Sequence, residues 1–310
     1  MDSLHLHTKP SFGGHEKFVF RDGWLKKGVD AVSQNPLIFS DNDALVILGV
    51  GKNMVRSIRH WCLATGLVEE AESKERKREL SVTSMGSRLM ADTGWDPFFE
   101  DSATLWLLHW QLVSDPFRSM IWHLLFSYFY EDECSKKSLA AFVQRQLDRA
   151  GISTTSGMID REIDCFLRTY TPSIRGNRIS EDTLDCPLTE LDLIRFIPQD
   201  NIYRFNVGPK PSLPTPIFGY GLFRFLGSAA RHRRTVAVDE CIYQAGSPGQ
   251  LFRLDENSVI EHLEALSDLT GGDIRLQETA GLRQLYINAD ADDFYDQAAH
   301  QLIEEYYAAN

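Results

Sequence analysis

His15 and Glu16 follow the Gly13-Gly14 pair and stand close to Lys17 and Arg21. An imidazole, a carboxylate and two cations on one short loop are the side chains that phosphodiester hydrolysis uses. Carboxylate or imidazole ligands hold a divalent ion that polarises the phosphate and activates water, and cations offset the phosphate charge. His15 and Glu16 are therefore the candidate catalytic residues, Lys17 and Arg21 the candidate phosphate contacts, and Mg2+ or Mn2+ the ion such chemistry would take. A structural alternative stands beside this, in which Glu16 pairs with Arg21 and His15 caps the following turn; structural pairs outnumber catalytic ones.

A second acidic set, Asp160, Glu162 and Asp164, lies near Arg161 and Arg168. On a helix Asp160 and Asp164 share a face, which could hold a metal, although such spacing is more often a solvated face. Asp182, Asp185, Glu190 and Asp192 are of the same kind. His109 and His123 lie in apolar aromatic runs and read as satisfied core histidines, and Trp106, Trp110 and Trp122 read as core.

The elements that would position such groups begin at Ala44–Val68, ALVILGVGKNMVRSIRHWCLATGLV, the grammar of a winged helix-turn-helix. Leu45, Val46 and Leu48 supply a short first helix, Gly49 and Gly51 a sharp turn, and Asn53 a cap for the second. There Met54, Val55, Ile58, Trp61 and Cys62 recur at helical spacing and face inward. Lys52, Arg56 and Arg59 then project outward and can meet phosphates. Leu67–Glu70 and Glu79–Thr83 read as paired strands, with Lys74, Arg76, Lys77 and Arg78 on the tip of a basic wing. The DNA-binding set is thus Lys52, Asn53, Arg56, Arg59 and those four wing cations. ILGVGKN is not a P-loop, because Val46 stands where the first glycine belongs and Asn53 where a hydroxyl belongs. Met54 breaks the dinucleotide fingerprint, so no nucleotide or flavin cofactor is expected.

The 310 residues carry a net charge of −12, which counts against a surface that grips nucleic acid all over. Charge is unevenly spread, however. Residues 51–90 hold eight Lys or Arg against five Glu, whereas residues 290–310 hold six acids and no Lys or Arg. One cationic face on an acidic body suits a local backbone contact. Cys62, Cys134, Cys165, Cys186 and Cys241 are odd in number and scattered, the pattern of reduced buried thiols. No run reaches the roughly 20 apolar residues of a membrane span, and the first residues lack a secretory pattern, so no membrane contact and a cytoplasmic location are expected.

The fold class expected is mainly α, within α+β, in three domains: an N-terminal winged helix-turn-helix over 1–95, a helical middle domain over 96–230 and a C-terminal winged-helix-like unit over 231–310. Asp92–Pro97 marks the first boundary. Ser102–Leu147 and Met158–Tyr170 read as helices. Arg175–Leu193 and the proline-rich Gly208–Pro216 read as irregular, with a helix around Tyr220–Leu226. Ser40 or Asp41 caps the helix containing Leu45, and Asp255 or Asn257 caps Ser258–Ser267. Ile274–Gln277 and Arg283–Asn288 then pair as strands.

At FGGHEKFVFRDGWLKKG, VGKNMVRSIRHWCLATGL, DCPLTELDLI and TAGLRQLYI, spread over nearly the whole chain, the sequence resembles the bacterial family catalogued as domain of unknown function 4007. That resemblance implies a part in the single-stranded DNA phosphorothioation system, which replaces a non-bridging phosphate oxygen with sulfur, in the role of its nicking component. It further implies a cysteine desulfurase, an adenylating sulfur-transfer protein and a helicase-like ATPase as partners. Two function classes stay open: a metal-dependent DNA nickase (an endonuclease) and a non-enzymatic winged-helix adaptor that assembles the sulfur-transfer machinery on DNA.

Overall fold

A computed structural model describes residues 12–71, 79–172, 174–175, 178–179, 186–279, 281–288 and 294–310. The chain divides into two compact units, residues 1–125 with 129–205, and residues 126–128 with 206–310. Helices with small antiparallel sheets make it an α+β protein.

In the first unit, α1 (Trp24–Gln34) packs its Trp24, Leu25, Val29 and Val32 face on the core. The short α2 (Ala44–Leu48) buries only Ala44 and Leu48, leaving Val46 81% exposed. Gly49, at φ 64, ends it in the left-handed region where glycine is unstrained. α3 (Lys52–Ala64) buries Val55, Ile58, Trp61 and Cys62 as its period requires. It lies close against α1, because a Cβ at Gly28 would stand 2.3 Å from Cys62 Sγ. Two caps differ from expectation. Gly51 occupies the α3 cap and Asp43 the α2 cap, neither with a side-chain bond, so Asn53 is already helical. Asp41 accepts instead from Asp43 N–H, at 3.1 Å.

Strands β1 (Val68–Glu70) and β2 (Leu80–Val82) pair antiparallel with Val68 opposite Val82, as expected. Thr83 then caps α4 (Ser84–Met90) by accepting from Gly86 N–H at 3.0 Å. α5 (Ser102–Ser114) is buried from Ala103 to Val113, and α6 (Met120–Tyr128) follows the Asp115-Pro116 break. His109 is buried with Nδ1 2.9 Å from the Tyr170 hydroxyl, and Trp106, Trp110 and Trp122 are also core.

Next come β3 (Glu133–Cys134), α7 (Lys136–Arg149), α8 (Ser156–Tyr170), β4 (Ile174–Arg175), β5 (Arg178–Ile179), β6 (Ile194–Ile197) and β7 (Ile202–Phe205). Strands β3, β7 and β6 form one antiparallel sheet in that order, and the β6–β7 hairpin is absent from the sequence reading above. α8 presents Ile159, Glu162, Ile163, Phe166 and Tyr170 to the core.

The second unit holds α9 (Thr215–Ala229), β8 (Thr235–Ala237), α10 (Val238–Tyr243), α11 (Pro248–Leu251), α12 (Glu256–Leu269), β9 (Ile274–Thr279), β10 (Leu282–Ile287) and α13 (Phe294–Ala309). Pro216 belongs to the first turn of α9, where its fixed φ suits a helix, and not to the irregular connector. Gly219 lets α9 approach its neighbours, since a Cβ there would meet Leu266 and Leu302 at 2.6 Å. Asp255 caps α12 through Ser258 N–H at 2.9 Å. The sheet order is β8-β10-β9, with Leu285 between Val236 and Leu276.

Candidate functional site

The loop at residues 12–20 is clamped between α3 and α8. Phe18 O accepts from Trp61 Nε1 at 3.0 Å, Lys17 O from the Arg168 guanidinium at 2.6 Å, and Glu162 Oε1 from Gly13 N–H at 2.5 Å. These anchors hold Glu16 and Lys17 at φ 48 and 69, left-handed values that are strained for residues with side chains. The turn sends successive side chains in opposite directions.

His15 turns inward and is 1% exposed. Its Nδ1 accepts from Lys17 N–H at 3.1 Å, so in the neutral ring the proton sits on Nε2. Nε2 stands 3.3 Å from Glu162 Oε1, an ion-pair distance without hydrogen-bond geometry. The rings of His60, Trp122 and Trp61 surround it at 5.8, 6.2 and 6.5 Å between centroids. Burial, reinforced by His15 and Arg59, lowers the His60 pKa to about 3. Gly14 is required there because a Cβ would lie 2.6 Å from His60 Nδ1.

Glu16 turns outward to Arg56, at 3.1 Å. The Glu16–Arg21 pair considered above does not form; Arg21 lies over the Trp24 ring at 5.6 Å. His15 does brace the turn, through Nδ1.

On the outward side of α3, Lys52 and Asn53 are exposed, and among the described residues their side chains have no hydrogen-bond or ion-pair partner. Arg59 reaches Glu70 at 2.7 Å, so both arginines of this face carry an acidic neighbour while remaining accessible. A cleft of about 530 Å³ runs along it, lined by Arg56, Arg59, His60, Glu70, Phe117 and Arg118. Phe117 and Arg118 escaped the sequence reading, because only the Asp115-Pro116 break marks them and their approach to α3 is tertiary. A second cleft of about 350 Å³ lies beside Asn53, Lys17 and Arg161. Lys74, Arg76, Lys77 and Arg78 lie outside the described residues, as do Asp182 and Asp185.

The acidic set on α8 is divided by the helix. Glu162 is buried under the loop, Asp164 reaches Lys136 at 2.6 Å, and Asp160 is exposed. Asp192 pairs with Arg195, and Glu190 is exposed. A hard cation such as Mg2+ needs several converging oxygens. Glu16 is engaged by Arg56 and Glu162 by Gly13, and among the described residues no group of three or more His, Cys, Asp or Glu could hold a metal. The described donors therefore do not fit such an ion. No helix among these residues is long and apolar enough to cross a membrane.

A family model described as "Protein of unknown function (DUF4007)" matches residues 12–307. No curated protein matches the chain. Two solved structures are similar along nearly its full length, a magnesium ion-bound SspB and SspB without that description. Each is 30% identical with a TM-score of 0.86, covering 96% of this chain and 88% of the other.

Proposed function

The chain belongs to the DUF4007 family, and from that premise we propose that it is a DNA-engaging component of a bacterial DNA phosphorothioate modification and defence system. The likeness to SspB supports the choice of system. The observation that carries DNA contact is the outward face of α3. Lys52 and Asn53 are unpartnered there among the described residues, and Arg56 stays exposed beside them. We read α2, the Gly49–Gly51 turn, α3 and the β1–β2 hairpin as a winged helix whose cations lie along the phosphate backbone. The order β8-α10-α11-α12-β9-β10 with sheet order β8-β10-β9 supports a second such unit. Its α12 carries Glu256, Glu261, Glu264 and Asp268, and so suits protein contact better than DNA. The partners proposed are the cysteine desulfurase, the adenylating sulfur-transfer protein and the helicase-like ATPase of such a system.

One structure of SspB holds magnesium, yet the described donors of this chain form no ligand set, so no hydrolytic step is assigned to them. Binding of labelled oligonucleotides across a salt titration tests DNA contact. It should weaken with salt, and a Lys52→Ala/Arg56→Ala variant should bind less tightly with a shallower salt slope. Equal affinity for wild type and variant would remove the α3 face from the reading. Supercoiled plasmid with magnesium or manganese then separates the two function classes: open circles support a nickase, intact plasmid the adaptor.

A further inference from the structure

We infer that the cleft of about 350 Å³ between the start of α3 and α8 seats one phosphate group of the bound DNA, an inference that rests on the proposed function. Lys17, Asn53 and Arg161 line it, and among the described residues their side chains have no hydrogen-bond or ion-pair partner. They differ in this from Arg56 and Arg59, whose charge is already offset by Glu16 and Glu70.

The backbone adds a second source of positive potential. α3 begins at Lys52 with Gly51 at its cap and no side-chain acceptor, so its first N–H groups keep their capacity for an external oxygen. His15 lines the same cleft but is 1% exposed with its Nε2 3.3 Å from Glu162 Oε1, so it backs the wall and leaves contact with the anion to Lys17, Asn53 and Arg161. Glu16, the one carboxylate among the described residues of the lining, is drawn to Arg56 at 3.1 Å, which offsets its repulsion of an anion.

Cationic side chains and free amide donors together select an anionic oxygen group, which a tetrahedral phosphate supplies. An internal phosphodiester, a 5′-terminal phosphate and inorganic phosphate share this chemistry. The test compares the full-length protein with Lys17→Ala, Arg161→Ala and Arg161→Lys, and with Arg145→Ala in the separate cleft on α7 as control. DNA affinity is measured over a chloride series, with thermal melts confirming the fold.

Lys17→Ala and Arg161→Ala should each weaken binding roughly three- to tenfold and reduce the salt slope by about 0.9, while Arg161→Lys recovers part of the loss and Arg145→Ala changes neither. A preference for 5′-phosphorylated oligonucleotides that depends on Arg161 identifies a terminal phosphate. Displacement by inorganic phosphate beyond matched ionic strength identifies a seat open to the free ion, and loss of slope without either identifies an internal phosphodiester. If Lys52→Ala weakens binding while Lys17→Ala and Arg161→Ala do not, the phosphate seat is overturned and the DNA reading stands. If none of the three weakens it, the DNA reading falls as well.

Discussion

His15 Nε2 lies 3.3 Å from Glu162 Oε1, with both side chains almost wholly buried, at 1% and 6% exposure. The same carboxylate oxygen receives Gly13 N–H, so one acid on α8 fixes both the turn and the imidazole of a loop distant in sequence. This makes Glu162 a brace for the loop that carries Glu16 and Lys17.

Glu162→Ala should therefore cost about 1–3 kcal/mol of stability in urea denaturation, since it leaves Gly13 N–H without its acceptor and removes the carboxylate beside the buried His15 ring. Glu162→Gln keeps an oxygen for Gly13 and should cost less. If both variants unfold at the wild-type urea midpoint, Glu162 has no bracing role.

Glu16 and Arg56 form a partly exposed pair, a contact worth about 0–1 kcal/mol. Glu16→Gln should leave stability nearly unchanged and tighten DNA binding roughly two- to fivefold, because it frees the guanidinium and removes a like charge facing phosphate. Weaker binding by this variant would argue against α3 as the DNA face. Loss of nicking with unaltered affinity would instead give Glu16 a part in chemistry.

His60 carries a folded pKa lowered to about 3 by burial, then by His15 and Arg59. The unfolded chain, with an ordinary histidine pKa near 6.5, thus binds a proton that the folded chain refuses. The stabilising effect is complete above that value and declines as pH falls from about 6.5 toward 3, with a limiting slope of about 1.4 kcal/mol per pH unit. His262, lowered to about 4 by burial, acts in the same direction. Urea titrations from pH 7 to 4 should show a smaller acid loss in His60→Gln than in wild type. Parallel curves for the two proteins would exclude His60 as the source.

Two glycines in helices should respond in opposite ways to alanine. At Gly86 a Cβ would stand 2.0 Å from Leu67 O, a backbone atom that cannot yield, so Gly86→Ala should destabilise by more than about 2 kcal/mol. At Gly157, in the first turn of α8, nothing lies within 4 Å. Gly157→Ala should stabilise by about 0.5–1 kcal/mol, through the lower entropy of its unfolded chain. Thermal melts of the two variants give the signs directly. Equal shifts would mean that α4 approaches Leu67 less closely than this distance.

Much of the N-terminal architecture was readable from local pattern. The period of Val55, Ile58, Trp61 and Cys62 identifies the buried side of α3, and the α+β class and the β1–β2 pair follow from comparably short-range signals. The short strands β6 and β7 were missed because four-residue segments carry little periodic information, and their pairing with β3 is long-range.

The cluster His15, Glu16, Lys17 and Arg21 was visible as residue types in sequence, but their directions were not. Charge attraction alone leaves Arg21 and Arg56 equivalent as partners for Glu16, and the left-handed turn at Glu16 and Lys17 is what brings Arg56 into reach. Along α8, Asp160, Glu162 and Asp164 look alike as letters; packing against the loop buries the middle one and leaves the others to solvent and Lys136.

The sequence by itself determined which stripe of α3 turns inward and where positive charge gathers on an acidic chain, because those depend on neighbours within a few residues. Only the tertiary structure decided which acid holds His15, which cations stay unpaired, and that Lys17, Asn53 and Arg161 share one cleft. Such choices depend on distances between segments far apart in the chain, which no local spacing encodes.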